Sequence, residues 1–138
     1  MKPENAKELI QISIKPFWSQ MDVLGHINNS VYFTDCEQAR IAWLEQIGFG
    51  QSFNGKSEIG PVIINAFCTF HKAVIYPCDL TVTLFGGELG RSSFMTYYEI
   101  KDENNLYTSG SSKLVWVNYA LEKSVEVPDE IRKLLVNS

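Results

Sequence analysis

At 138 residues, 45% hydrophobic and 20% charged, the chain has the size and balance of a folded domain rather than a disordered segment. Its net charge of −4 offers no basic surface to nucleic acid, and no apolar run reaches the roughly 20 residues of a membrane-spanning helix. Cys36, Cys68 and Cys78 are too few and too scattered for a disulfide framework or a zinc site, so a reducing cytoplasm is the expected location.

The opening MKPENAKELI lacks the apolar stretch of a secretory leader. No repeat, low-complexity tract or linker follows, so residues 1–138 are expected to form one domain. Residues 9–15 alternate, with Ile10, Ile12 and Ile14 on one side, and predict a half-buried strand that Pro16 stops. A polar loop over 19–29 carries Asp22, Gly25, His26, Asn28 and Asn29. A helix is expected to start at the Asn pair, because asparagine caps helix N-termini well. On its wheel Tyr32, Cys36, Ala39, Trp43 and Ile47 share one face, flanked by Phe33 and Leu44, and Gly48 supplies the stop.

Beyond a Gly- and Ser-rich loop at 49–60, the chain reads as strands. Residues 61–70 form an apolar, β-branched run, and 79–85 alternate with Leu80, Val82 and Leu84 on one face. Gly86, Gly87 and Gly90 are expected to bracket a turn. Residues 92–101 and 106–118 then make a hairpin around 102–105, and 128–136 an amphipathic tail helix opened by Pro128. One long helix cannot cover both faces of so many strands. The economical architecture is α+β, a single curved antiparallel sheet wrapped around that helix. Strands this apolar in so short a chain also suggest an edge or face buried in a second subunit.

The stretch FWSQMDVLGHINNSVYFTDCEQAR, residues 17–40, carries the chemistry. Asp22 precedes a helix N-terminus, where free N–H groups and the helix dipole favour negative charge. Gly25 lets the backbone approach a ligand closely. A carbonyl oxygen directed at the N–H groups of Asn29, Ser30 and Val31 would be polarised as in an oxyanion hole. Asp22 could then attack the carbon, or deprotonate a water that does. Local chemistry alone favours the plainer role, in which Asp22, Asn28 and Asn29 only cap a helix and shape a turn.

The pattern D-x-x-G-H-x-N-N-x-x-Y followed by E-x-A-R rests here on Asp22, Gly25, His26, Asn28, Asn29, Tyr32, Glu37, Ala39 and Arg40. It resembles the signature of the 4-hydroxybenzoyl-CoA thioesterase-like family of hot-dog proteins, in particular bacterial acyl-CoA thioesterases with an asparagine pair. Tyr76–Pro77, Gly90–Arg91–Ser92 and the segment from Pro128 to Glu130 also fall where such proteins have them, so the resemblance spans nearly the whole chain. It implies a hot-dog fold, homodimers with a joined sheet or homotetramers, and hydrolysis of acyl-CoA to a carboxylic acid and CoA. Asp22 matches the catalytic acid, nucleophile or general base, in a site at the subunit interface. The substrate supplies the only CoA, and no metal or other cofactor is implied. One relative branch has a histidine where Asn29 stands here, so that histidine's role does not transfer to His26. The competing classes are a non-catalytic acyl-CoA-binding protein and a hot-dog hydratase or dehydratase.

Around Asp22, the substrate-binding set is expected to be Gly25, His26, Asn28, Asn29, Ser30, Val31 and Tyr32, with Tyr32 open to a plain core role. Arg91 and Lys72 are candidate CoA-phosphate contacts, because cationic side chains suit phosphate oxygens. His71 is expected in a strand with a structural role. Arg40, inside the apolar helix face, is expected to pair with Glu37, while Asp35 on the opposite face is expected to be solvated. Cys36 is expected to be inert packing.

Overall fold

The computed structural model describes residues 2–49 and 58–136. In chain order these form β1 (Lys7–Ile14), a single 3-10 turn (Trp18–Gln20), α1 (Asn29–Gln46), β2 (Ile59–Phe70), β3 (Leu80–Gly87), β4 (Ser93–Lys101), β5 (Leu106–Asn118), β6 (Lys123–Ser124) and α2 (Asp129–Val136). The strands make one antiparallel sheet of six in the order β1-β3-β4-β5-β2, with the short β6 beside β5. The expected loop at 49–60 falls mostly outside the described residues; within it, Phe49 packs edge-on against Trp116, and β2 already begins at Ile59.

The helix lies in the sheet. Tyr32, Cys36, Ala39, Trp43 and Leu44 of α1 share a core with Leu84, Phe94, Tyr98, Leu114 and Trp116 from the central strands. Trp43 and Trp116 both contact Phe94, so the aromatic residues join helix to sheet at the middle of the core. The wheel was right for this face except at Phe33, which stays 41% exposed. Gly86 and Gly87 end β3, directly before the connection at 88–92 that holds Gly90. A Cβ on Gly86 would stand 2.6 Å from Leu135 and 2.9 Å from Leu9, so the glycine leaves room for α2 to close one end of the core.

Asp35 is the main departure from expectation. It is 7% exposed, and its Oδ2 has no hydrogen-bond partner among the described residues. The sheet curls far enough around α1 to dry a face that a one-sided wheel assigns to water. Desolvation pushes the Asp35 carboxyl up to about 6. Between its ordinary value of 3.8 and about 6, the folded chain holds more protons than the unfolded chain, so stability falls as pH rises through that window. Replacing Asp35 with Asn removes the titration. Its stability advantage over the wild type should widen by roughly 2–3 kcal/mol between pH 4 and pH 7, measured by urea unfolding at several pH values.

Candidate active site

The loop between the 3-10 turn and α1 is a small closed structure. Asn28 N–H donates to Gln20 C=O at 2.9 Å, and Asp22 N–H to His26 C=O at 2.7 Å. Gly25 turns the tip with φ +76°, a left-handed conformation that side chains resist. Ile27 N–H donates to Val74 C=O, and His26 bridges Ile75, tying the loop to the segment that follows β2.

This loop fixes the Asp22 carboxylate. Leu24 and His26 N–H both donate to Oδ1, at 2.8 and 3.1 Å, and no hydrogen bond from the described residues reaches Oδ2. His26 therefore holds Asp22 through its backbone rather than its ring. Asp22 itself is exposed, flanked by the outward-facing apolar side chains of Trp18, Val23 and Leu24.

Asn28, rather than the pair jointly, caps α1. Its Oδ1 accepts from Ser30 N–H at 3.1 Å and from Ser30 Oγ at 3.0 Å, while its carbonyl accepts from Val31 N–H at 2.9 Å. This corrects the expected oxyanion hole. The N–H groups of Ser30 and Val31 are already engaged by Asn28. Asn29 N–H, the first of the helix, has no acceptor among the described residues.

Asp22, His26, Asn29 and Tyr32 line one cleft of about 210 Å³, closed on its other side by Phe70, His71 and Lys72. Gly25 shapes the turn beside it without lining it. Tyr32 is buried against Phe70 at 5.3 Å, so it is both core and cleft floor, and burial raises its phenol above the usual range. His71 lies just past β2 instead of within it, with Nε2 2.9 Å from Ser109 Oγ. Lys72 donates to Asn105 Oδ1 at 2.9 Å, which anchors its amine beside the cleft.

Arg91 stands apart. Its carbonyl accepts from Val127 N–H, just before the β4 end that pairs Ser93 with Val115. The cleft sits at the other end of β5, where Tyr107 C=O accepts from His71 N–H. From Tyr107 to Val115 is roughly 26 Å at about 3.3 Å per residue, so Arg91 and Asp22 of one chain do not share a site. Among the described residues, no group of three or more His, Cys, Asp or Glu could hold a metal ion, and no helix is long and apolar enough to cross a membrane.

A long helix held in a curved antiparallel sheet, with an acid-bearing loop at its N-terminus, is the hot-dog fold. Residues 17–135 match the model of the thioesterase-like superfamily, and the chain belongs to that family. The PA2801 protein of Pseudomonas aeruginosa, a proposed thioesterase, is similar with 36% identity and TM-score 0.85, covering 91% of this chain and 97% of its own. A proposed esterase of Aquifex aeolicus is 28% identical over 84% of this chain and 89% of its own length. A DHNA-CoA thioesterase from Staphylococcus aureus shares the fold at 24% identity and TM-score 0.74, over 84% of this chain and 78% of its own.

If Asn28 and Gly25 hold the loop as described, Asn28→Ala should cost about 1 kcal/mol through the lost cap, and Gly25→Ala about 1–2 kcal/mol through strain. Asn28→Asp, which keeps the acceptor, should stay near wild type. Urea unfolding of the three variants tests this.

Proposed function

We propose that the protein is an acyl-CoA thioesterase, converting acyl-CoA and water to a carboxylic acid and CoA. The observation that carries this reading is that Asp22 and Asn29, whose N–H has no acceptor among the described residues, line the same cleft. Family membership and the thioesterase names of its structural neighbours support the reaction class.

The thioester oxygen accepts from Asn29 N–H at the positive end of α1, which polarises the carbonyl and stabilises the charge that develops on attack. Asp22, oriented by the two N–H groups on Oδ1, acts through Oδ2. As a nucleophile it forms the new C–O bond, expels CoA thiolate and leaves an anhydride that water cleaves. As a general base it takes a proton from the attacking water, and the thiolate leaves as the tetrahedral adduct collapses.

The cleft is completed by a second copy. Among the described residues β2 pairs only with β5, and Ile64, Phe67 and Phe70 on β2 are exposed. A two-fold partner adds its own β2 antiparallel to this edge and extends the sheet. That pairing sets the partner's Ile59 end beside this chain's Phe70 end. Arg91 lies at the Ile59 end, so each cleft meets the Arg91 of the other copy, while Lys72 comes from its own chain. Both serve the CoA phosphates from opposite sides, in a homodimer or a tetramer of such dimers working in the cytoplasm.

Asp22→Asn keeps the shape and removes the chemistry. Free-thiol release from a panel of acyl-CoAs should fall by roughly 10²- to 10⁴-fold in this variant. Hydrolysis equal to wild type removes Asp22 from the mechanism, and a wild type that binds but hydrolyses nothing makes the protein a binder. Ile64→Lys, a charge on the open edge, should shift light scattering toward monomer and abolish hydrolysis together.

A further inference from the structure

A second cavity opens one helical turn further along α1. It measures about 260 Å³ and lies between α1 and the sheet, walled by Phe33, Cys36, Ile63 and Phe67, with Arg40, Glu37 and Tyr98 among its polar lining. Tyr32 of the Asp22 cleft precedes Phe33 on α1, and Phe70 lies three residues beyond Phe67 on β2, so the two spaces draw on the same helix and strand without sharing a lining residue. The second space falls just below the roughly 300–1,000 Å³ of small-molecule sites, which suits an acyl group but not a whole CoA.

Its polar end keeps hydrogen-bond donors without an acceptor among the described residues. The Arg40 side chain is 12% exposed, and its only hydrogen bond among the described residues runs from NH1 to the Tyr98 hydroxyl, at 2.9 Å. Glu37 is the ion-pair partner expected from the sequence, at 3.9 Å with its side chain 56% exposed, beyond hydrogen-bond distance. A guanidinium has five donors in a planar fork, and one neutral acceptor with one long ion pair leaves most of them without a hydrogen bond. The Tyr98 hydroxyl is itself fixed in a buried ring of hydroxyls, 2.8 Å from Thr96 Oγ1 and 2.8 Å from Ser112 Oγ, with those two 2.7 Å apart. Thr96 Oγ1 also donates to Ser112 C=O at 3.0 Å. The ring uses its own protons and presents Tyr98 to Arg40 as an acceptor, which positions the fork and leaves its remaining donors for something else.

We infer that Arg40, positioned by Tyr98, is a specificity residue that recognises an oxygen acceptor, a hydroxyl or a carboxylate, at the far end of the substrate's acyl group. This rests on the thioesterase reading for the placement of the thioester at Asn29. From Asn29 to Cys36 α1 rises about 10 Å, and the Arg40 side chain leans back toward the helix N-terminus. An acyl group about that long, rigid or extended, matches the distance along α1 from the carbonyl to the guanidinium. A methyl-ended acyl group of the same length leaves the fork unpaired, so the site discriminates against it.

The test compares acyl-CoAs of matched length ending in methyl, hydroxyl or carboxyl, in hydrolysis and, as CoA thioethers that cannot be cleaved, in binding to the wild type. The wild type should favour one polar end over methyl by about 10- to 150-fold in kcat/KM and in affinity, and the better of the two arms names the group. Arg40→Met should bring the ratio to about one, and Tyr98→Phe should lower it in a protein that keeps the guanidinium. A wild-type ratio near one in both measurements overturns the inference, as does a ratio that survives Arg40→Met. If nothing is hydrolysed but the polar thioethers bind selectively, the thioesterase reading fails while the recognition stands.

Discussion

The site depends on how the N-terminus of α1 is closed. A helix leaves its first N–H groups unpaired, and here a single residue, Asn28, takes two of them: its side chain holds Ser30 and its carbonyl holds Val31. The same residue closes the loop to Gln20, which sets the turn that carries Asp22. Capping and positioning are thus one act. The N–H left over belongs to Asn29, a residue that lines the cleft with the acid.

The sheet supplies the second constraint. Curled around α1, it buries Trp43 and Ala39 on one side and also Asp35, whose Oδ2 has no hydrogen-bond partner among the described residues. It also leaves β2 as an edge with exposed apolar side chains. An edge of twelve residues is a template for another strand, and soluble proteins rarely leave one bare. The proposed pairing covers that edge and brings a cationic residue from the far end of one chain to the cleft of the other. The apparent misplacement of Arg91 then follows from the symmetry.

Local features were legible in the sequence. Asn28 as a cap, the apolar stripe from Tyr32 to Trp43, the alternation of 79–85 and the hairpin turn at 102–105 all report interactions within a few residues. Asp35 was harder, because its surroundings are set by how far the sheet wraps, which no wheel encodes. A second reason for Gly86, the approach of Leu135 and Leu9, lies at long range and is not legible in the sequence. His71 and Lys72 reach the cleft only because the segment after β2 is tied to the 20–28 loop, and no spacing links them to Asp22. The family pattern marked the loop as chemical, while its geometry decided which N–H groups remain available.

The most direct test is the carbonyl itself. An acyl-CoA carrying ¹³C at the thioester carbon, bound to Asp22→Asn so that it is not consumed, reports polarisation through its isotope-edited infrared stretch. The account predicts a shift to lower frequency than in water, lost when the cap is removed by Asn28→Ala. A bound carbonyl that absorbs as it does in water would contradict placement of the thioester at the N-terminus of α1.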